Sequence, residues 1–276
     1  MPSLATICPQ IPLQSLVSAT NGFSDETLLS SSAFRSLYSG VLPDGTLCVV
    51  RLLKGCSDAV FEETITSISR IRHPTVTLLM GFNSDTSNRF IVYEFMQGGS
   101  FSDRMNSLKW EHTLAILDNT ATALSHSLSK TPPVFHGQLK SSKVMLDEHG
   151  LAKLSDLGLY RLLPGPPLSP TLESEIAAFR TMMMEVPLHD WPENVAQAFN
   201  NLRMYPPLSF RLIISDLRRI AAMEPGPIAL FGLSWDGVVV GEPAHVDQGT
   251  QTDYAVESRN RSVNQCCSIS LLGWSL

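Results

Sequence analysis

The spacing of the apolar residues changes near residue 97, and this change limits the possible folds more than any other feature of the chain. Before it, short apolar runs alternate with turns, and Pro43-Asp44-Gly45 separates two of these runs as a hairpin turn would. Apolar residues recur at helical spacing through 13–22 and 59–72. The predicted strands lie at 36–42, 46–53, 76–82 and 89–95. This part of the chain therefore indicates an antiparallel sheet accompanied by helices.

Beyond the break at Gln97-Gly98-Gly99-Ser100, helical spacing predominates. The predicted elements are helices at 110–129, 173–185 and 208–223, and short strands at 144–146 and 152–154. Pro225-Gly226-Pro227 predicts a boundary, because neither proline nor glycine continues a helix well. After it, the sequence predicts a small hairpin at 228–240 and a polar, disordered stretch at 242–265.

The composition excludes several classes of protein. Hydrophobic residues make up 43% of the 276 residues and charged residues 17%, which does not suit a wholly disordered chain. The net charge of −6, without a run of Lys and Arg, argues against nucleic acid as a partner. No stretch approaches the ~20 apolar residues of a membrane span. The five cysteines have no metal-ligand spacing and predict reduced thiols in a cytosolic protein.

Five fragments carry a resemblance to a known family. In chain order they are LVSATNGFSDETLL, LYSGVLPDGTLCVVRLLKG, RIRHPTVTLLMGF, RFIVYEFMQGGSF and VFHGQLKSSKVMLDEHGLAKLSDLGL. In this register the chain resembles a protein kinase domain, in particular that of plant receptor-like kinases of the Pelle and interleukin-receptor-associated type. The likeness is strong over 13–163, weak over 173–223 and absent afterwards.

The resemblance implies an α+β fold with two lobes, a small antiparallel-sheet N-lobe and a shortened helical C-lobe. It divides the chain into an N-terminal extension at 1–12, a kinase-like domain at 13–224 and a partly disordered tail at 225–276. The N-lobe would cover 13–96 and the C-lobe 97–224.

Residues that the family uses to hold ATP phosphates are replaced here. The positions of the three loop glycines carry Ser30, Ser32 and Arg35. The phosphate-binding lysine matches Arg51, which keeps the charge but not the compact shape of an ammonium. The glutamate that would pair with it matches Thr64. Glu63 is adjacent, but one residue is about 100° around a helix, so we expect Glu63 to face solvent.

The segment 136–143 matches the catalytic loop of the family, and it departs further from the family pattern. Gln138 stands at the position of the aspartate base, and an amide is not a base near neutral pH, so a general-base contribution of ~10²–10⁴ is lost. Lys143 replaces the asparagine that would hold a second Mg²⁺. Lys140 matches a lysine that contacts the transferred phosphate, and Asp156 of Asp156-Leu157-Gly158 matches the family's magnesium ligand.

A degenerate nucleotide site would combine Arg51 and Asp156 with the hinge residues Glu94 and Met96. We expect no cofactor, with ATP and Mg²⁺ bound only if this altered site still accepts them. The segment after Gly158 is short and rich in proline, and it leaves no counterpart of the family's loop for docking substrate peptides.

The sequence therefore predicts a catalytically inactive pseudokinase that binds another protein, such as an active receptor-like kinase. We expect no membrane span and a cytoplasmic location, with attachment to the membrane through a partner. Three alternatives stay open: an atypical serine/threonine kinase using Arg51, Lys140 and Asp156, a nucleotide-binding switch without turnover, and a decaying gene product whose shortened C-lobe folds poorly.

Overall fold

The structure is a computed structural model that describes residues 8–84, 88–165 and 168–224. The predicted hairpin at 228–240, the stretch at 242–265 and the rest of the tail lie outside these residues. Within the described ranges, no helix is both long enough and apolar enough to cross a bilayer.

An antiparallel sheet of five strands forms the N-lobe. The strands are β1 (Leu28–Ser31), β2 (Arg35–Val41), β3 (Leu47–Leu53), β4 (Leu79–Asn83) and β5 (Arg89–Glu94), in the spatial order β1-β2-β3-β5-β4. The pair β2 and β3 is the predicted hairpin. Its turn closes because Gly45 takes a φ of 84° and the Asp44 carboxylate accepts the Thr46 N–H at 2.9 Å.

Strand β4 begins later than its sequence predicts, because the residues before it pair with the other lobe. The Leu154 N–H donates to the Thr75 carbonyl at 2.8 Å, and the Thr77 N–H donates to the Leu154 carbonyl at 3.1 Å. This segment is therefore a connection between the lobes and only then a strand of the sheet.

Two helices cover the N-lobe sheet. Helix α1 (Leu13–Ala19) lies near the start of the described chain, and helix α2 (Asp58–Ser69) buries an apolar stripe that includes Phe61 and Ile65. Residues of the predicted N-terminal extension run beside β4, where the Ile11 N–H donates to the Phe82 carbonyl at 2.8 Å.

The C-lobe combines helices with a three-stranded sheet. The helices are α3 (Phe101–Arg104), α4 (Trp110–Leu128), α5 (Leu172–Glu185), α6 (Glu193–Met204) and α7 (Phe210–Ala221). The strands are β6 (Gly99–Ser100), β7 (Val144–Leu146) and β8 (Ala152–Leu154), and short 3₁₀ turns cover Met105–Ser107, Ser141–Lys143 and Leu159–Leu162. The predicted helices correspond to α4, α5 and α7.

Helix α6 was absent from the sequence-based expectation, although its signal is present. Val195, Phe199 and Leu202 are buried at helical spacing, and Pro192 precedes the helix as its N-cap. Polar residues between these positions hide the pattern. Helices α5 and α7 meet through Phe179 and Phe210, whose ring centroids are 5.6 Å apart at an interplanar angle of 88°.

Candidate functional site

The centre of the cleft between the lobes is Asp156, which follows β8. Its Oδ1 forms an ion pair with the Arg51 guanidinium from β3, and its Oδ2 lies 2.9 Å from Lys143 Nζ. The Asp156 side chain is only 10% exposed, as is that of Lys143, and that of Arg51 is 4% exposed. The structure thus brings together three of the residues that the sequence singled out, and it uses both carboxylate oxygens of Asp156 for fixed cations.

The charges of this cluster are coupled. Burial alone would raise the pKa of Asp156, but Arg51 and Lys143 outweigh burial and hold that pKa well below its usual range. Burial lowers the pKa of Lys143, and the Asp156 carboxylate opposes this effect. Both carboxylate oxygens are thus neutralised by side chains from β3 and the catalytic loop.

The residues around Asp156 do not suit Mg²⁺. This ion binds several oxygen ligands in a near-octahedral arrangement, and it is repelled by neighbouring cations. Here an ammonium and a guanidinium already occupy the two carboxylate oxygens. Side chains of the protein itself therefore supply the positive charge at both carboxylate oxygens.

The catalytic loop holds a buried, neutral histidine. His136 Nε2 lies 3.0 Å from the Ser155 carbonyl, which accepts only from a protonated nitrogen, and Nδ1 accepts the Gln138 N–H at 3.2 Å. Burial is the main reason that the pKa of His136 falls to about 4. The neighbouring Gln138 is exposed, so neither residue at this turn offers a carboxylate base.

A buried glutamate closes the back of the same loop. Glu175, in the first turn of α5, accepts the Gly137 N–H through Oε1 at 2.7 Å. Gly137 has a φ of 74°, and a Cβ placed there would lie 2.5 Å from the ring of Tyr160. The loop conformation therefore requires glycine at this position, and Glu175 anchors it.

A cavity of about 290 Å³ opens beside this loop. It lies between β2, the catalytic loop and α5. Its lining includes Arg35, Gln138, Lys140, Lys143, Ser174 and Glu175. Burial and the nearby Arg51 lower the pKa of Arg35, and Asp156 opposes this effect. Arg35 therefore lies close enough to interact electrostatically with Arg51 and Asp156.

Helix α2 cannot supply the glutamate of an Arg51 pair. Thr64, which occupies that place, is buried in the core. Glu63 lies on the outer side with a side chain 62% exposed, and its Oε1 is 2.5 Å from Arg161 Nη2. Glu63 thus faces solvent, as expected, and forms a surface ion pair that links α2 to the turn after Asp156-Leu157-Gly158.

The carboxylate of the hinge residue Glu94 also has partners within the protein. Glu94 Oε2 lies 2.8 Å from Lys153 Nζ of β8, and Glu94 Oε1 accepts the Leu78 N–H at 2.6 Å. Met96 is buried in the core beside it. Lys153, Arg161 and Glu175 are contacts that the sequence analysis missed. They belong to unremarkable charged positions, and no local pattern links them to partners 38 to 98 residues away.

The neutral His136 predicts a specific dependence of stability on pH. The unfolded histidine takes up a proton below about pH 6.5, whereas the folded one resists protonation down to about pH 4. The unfolded state therefore binds more protons in this window, and the free energy of unfolding falls as the pH falls, by up to about 3 kcal/mol from this group.

Urea unfolding at pH 7 and pH 4.5 tests this prediction. His136→Gln retains an N–H donor for Ser155 and is expected to lose much less stability between the two pH values than the unaltered chain. His149→Gln changes a histidine whose side chain is 70% exposed, and it should leave the slope unchanged. If all three proteins lost the same free energy of unfolding between pH 7 and pH 4.5, the prediction would be contradicted.

Comparison with known proteins identifies the family to which the chain belongs. The family model described as "Protein tyrosine and serine/threonine kinase" matches residues 25–182, more than half of the chain. The chain belongs to the protein kinase family. The match begins just before β1, ends in the last turn of α5, and includes the Asp156 cluster and the catalytic loop.

Individual kinases show the same relationship. The probable serine/threonine-protein kinase PBL28 of Arabidopsis thaliana is 34% identical over 166 residues, which are 55% of this chain and 44% of that protein. Interleukin-1 receptor-associated kinase 1 of Bos taurus is 31% identical over 185 residues, which are 62% of this chain and 26% of that protein. The chain thus spans less than half the length of these curated relatives.

The kinase fold is confirmed by a solved structure. The pseudokinase domain of BIR2, described as an immune regulator of the RLK/Pelle family, superimposes with a TM-score of 0.63 and 21% sequence identity. The match covers 78% of this chain and 88% of that domain. It confirms the predicted α+β architecture with an antiparallel-sheet N-lobe and a helical C-lobe.

Proposed function

We propose that this protein is a pseudokinase, which binds another protein, an active receptor-like kinase, and does not transfer phosphate. The observation that carries the proposal is the Asp156 carboxylate, held between Arg51 and Lys143. In this arrangement the cations that would neutralise ATP phosphates, and the carboxylate that would hold Mg²⁺, neutralise each other. The proposal includes the expectation that neither ATP nor Mg²⁺ serves as a working cofactor.

The catalytic loop supports inactivity on separate grounds. Gln138 supplies an amide where a carboxylate would accept the substrate proton. The turn with Ser30, Ser32 and Arg35 lacks glycines, which would let backbone N–H groups approach phosphate closely. Catalysis of phosphoryl transfer depends mainly on positioning and charge stabilisation, and both are altered here.

Binding to a partner is supported by the packed framework that survives these changes. The cores of both lobes contain many completely buried side chains, among them Phe61 in α2 and Phe179 in α5. A folded surface can bind a partner without any catalytic group. The BIR2 pseudokinase, which shares this fold, is described as an immune regulator, and a role in receptor-like kinase signalling is the corresponding proposal for this chain.

Loss of phosphate transfer is the first test. We expect no Mg²⁺-dependent incorporation of label from γ-labelled ATP into the protein or into generic peptides. The double variant Gln138→Asp with Lys143→Asn should remain inactive, because it restores a base and a metal ligand but not the positioning, which contributes roughly 7–11 kcal/mol to barrier lowering.

A known active serine/threonine kinase run in parallel validates that assay. Incorporation that follows the protein through purification and is lost in Lys140→Gln would contradict inactivity, since Lys140 is exposed and we expect its replacement to preserve the fold. Clear turnover by the double variant would contradict the positioning argument.

Partner binding is tested with purified cytoplasmic kinase domains of receptor-like kinases, by calorimetry with the complete chain. We expect saturable binding to at least one of them, unaffected by added ATP. Absence of binding across the set, with protein that unfolds cooperatively, would contradict the proposed function.

A further inference from the structure

Positive charge in the cleft exceeds what Asp156 neutralises. Arg51 and Lys143 share that carboxylate, while Arg35 and Lys140 lie on the rim of the adjoining cavity. Within the described ranges, the structure shows no ion-pair partner for Arg35 or Lys140. Arg35 and Lys140 thus add positive charge at the cavity rim, next to the ion pairs of Asp156, and this arrangement favours an anionic ligand.

Among the described residues, Glu175 is the one acid in the cavity lining. Burial raises the pKa of Glu175, although the Gly137 N–H that it accepts opposes this effect. Glu175 is 2% exposed, and among the described residues its Oε2 has no hydrogen-bond partner. Burial therefore disfavours a full negative charge on Glu175 at the cavity wall.

The cavity has the size and position of a side-chain pocket. Its volume of about 290 Å³ exceeds that of a phosphate group, and its walls are β2, the catalytic loop and the first turns of α5. A buried cation, Lys143, lies at the cavity wall beside the exposed Lys140.

We propose that this cavity binds the phosphate group of a phosphorylated serine or threonine side chain of a partner protein, without a metal ion. Arg35 and Lys140 contact the phosphate from the rim, and Lys143 contributes charge from the wall. The proposal rests on the proposed function and deepens it, because it names the chemical feature by which a partner kinase is recognised. No bond is made or broken in this step.

Phosphate fits the site better than a carboxylate does. A phosphorylated side chain carries about −1.5 to −2 charge at pH 7 and three strong acceptor oxygens, so it can contact several cations at once. An Asp or Glu side chain carries one charge and two oxygens. The two cations on the rim, Arg35 and Lys140, match the doubly charged group.

A peptide fits better than a nucleotide as the source of the phosphate. The lining extends from β2 to α5, and among the described residues it contains neither Arg51 nor the hinge positions Glu94 and Met96. The hinge carboxylate of Glu94 is already paired with Lys153. A nucleotide would need the hinge side of the cleft, whereas a chain passing over α5 reaches the cavity directly.

The test is a titration of the complete protein followed by phosphorus NMR in metal-free buffer. The probe is a short peptide of glycine and alanine with one central phosphoserine. We expect a Kd on the order of 0.1–1 mM, displacement by excess inorganic phosphate, and no binding of the unphosphorylated peptide. Arg35→Gln and Lys140→Gln should each raise the Kd at least about tenfold, as expected for a lost charge-assisted hydrogen bond.

Arg219→Gln is the matched control, because it removes the same charge from an exposed ion pair on α7 and should leave the Kd unchanged. Equal affinity of the phosphorylated and unphosphorylated peptides would overturn the proposal, as would an unchanged Kd in Arg35→Gln and Lys140→Gln. Tighter binding of ATP with Mg²⁺ than of the phosphopeptide would overturn it too, by showing that the site is a nucleotide site.

Partner kinases, used before and after phosphatase treatment, separate this proposal from the proposed function. If they bind equally in both forms and the phosphopeptide does not bind, the phosphate site is wrong and the proposed function stands. If the phosphopeptide binds and no kinase domain does, the phosphate site stands and the proposed function is wrong.

Discussion

The variant Asp156→Asn is expected to lower the free energy of unfolding by about 3–5 kcal/mol. It leaves Arg51 and Lys143 buried without a countercharge, and buried charges are costly when they lack a partner. Asparagine is the suitable replacement because Asp156 has a φ of 58°, a left-handed conformation that asparagine tolerates. Urea unfolding at pH 7 measures the change.

Asp216→Asn is the control for this measurement. It removes one carboxylate from an exposed ion pair with Arg219, which contributes about 0–1 kcal/mol. A similar, small effect of both variants would contradict a structural role for Asp156. The low pKa of Asp156 gives a second check. The stabilisation from the Asp156 carboxylate is fully present above the pKa of an unfolded aspartate, about 3.9, and is lost as the pH falls below that value. The difference between Asp156→Asn and the unaltered chain should therefore persist at pH 5.

The variant Phe179→Ala is expected to destabilise the protein by about 3–5 kcal/mol, the usual cost of removing a buried phenylalanine. Phe179 is completely buried in α5 and packs edge to face with Phe210 of α7. The measurement is urea unfolding followed by tryptophan fluorescence, since Trp110 and Trp191 lie in the C-lobe, and by circular dichroism.

Two further variants serve as comparisons, one at an exposed position and one at a buried position in the other lobe. Met184→Ala changes a side chain that is 45% exposed and should shift stability by less than about 0.5 kcal/mol. Phe61→Ala removes a completely buried ring from the N-lobe and should cost as much as Phe179→Ala. A small effect of Phe179→Ala, with a large effect of Phe61→Ala, would mean that the shortened C-lobe is poorly packed, as the decaying-product alternative requires.

Local patterns in the sequence were sufficient for most of the secondary structure. The hairpin around Pro43-Asp44-Gly45 and the stripe through α2 have short-range causes, namely a turn residue and a helical repeat of apolar side chains. Helix α7 was predicted for the same reason. Helix α6 was missed because polar residues separate its few buried positions.

Contacts between distant residues were beyond the reach of such patterns. The start of β4 was displaced because Thr75 and Thr77 pair with Leu154, far along the chain. The resemblance identified Arg51 and Lys143 as altered site residues and Asp156 as a match to the family's magnesium ligand, but only the structure shows that the three form one ion cluster. Glu175 needed the fold as well, since its role depends on α5 lying against the catalytic loop.

The links between the lobes have a consequence for how such a protein would be controlled. Asp156 with Arg51, Lys153 with Glu94, and the backbone pairing of Leu154 hold the two lobes in one arrangement. A protein whose binding-competent form is already the dominant one loses no affinity to competing conformations. Under the proposed function, the fraction of partner bound would then follow the amount of this protein present, so that synthesis and degradation, rather than a change of shape, would set it.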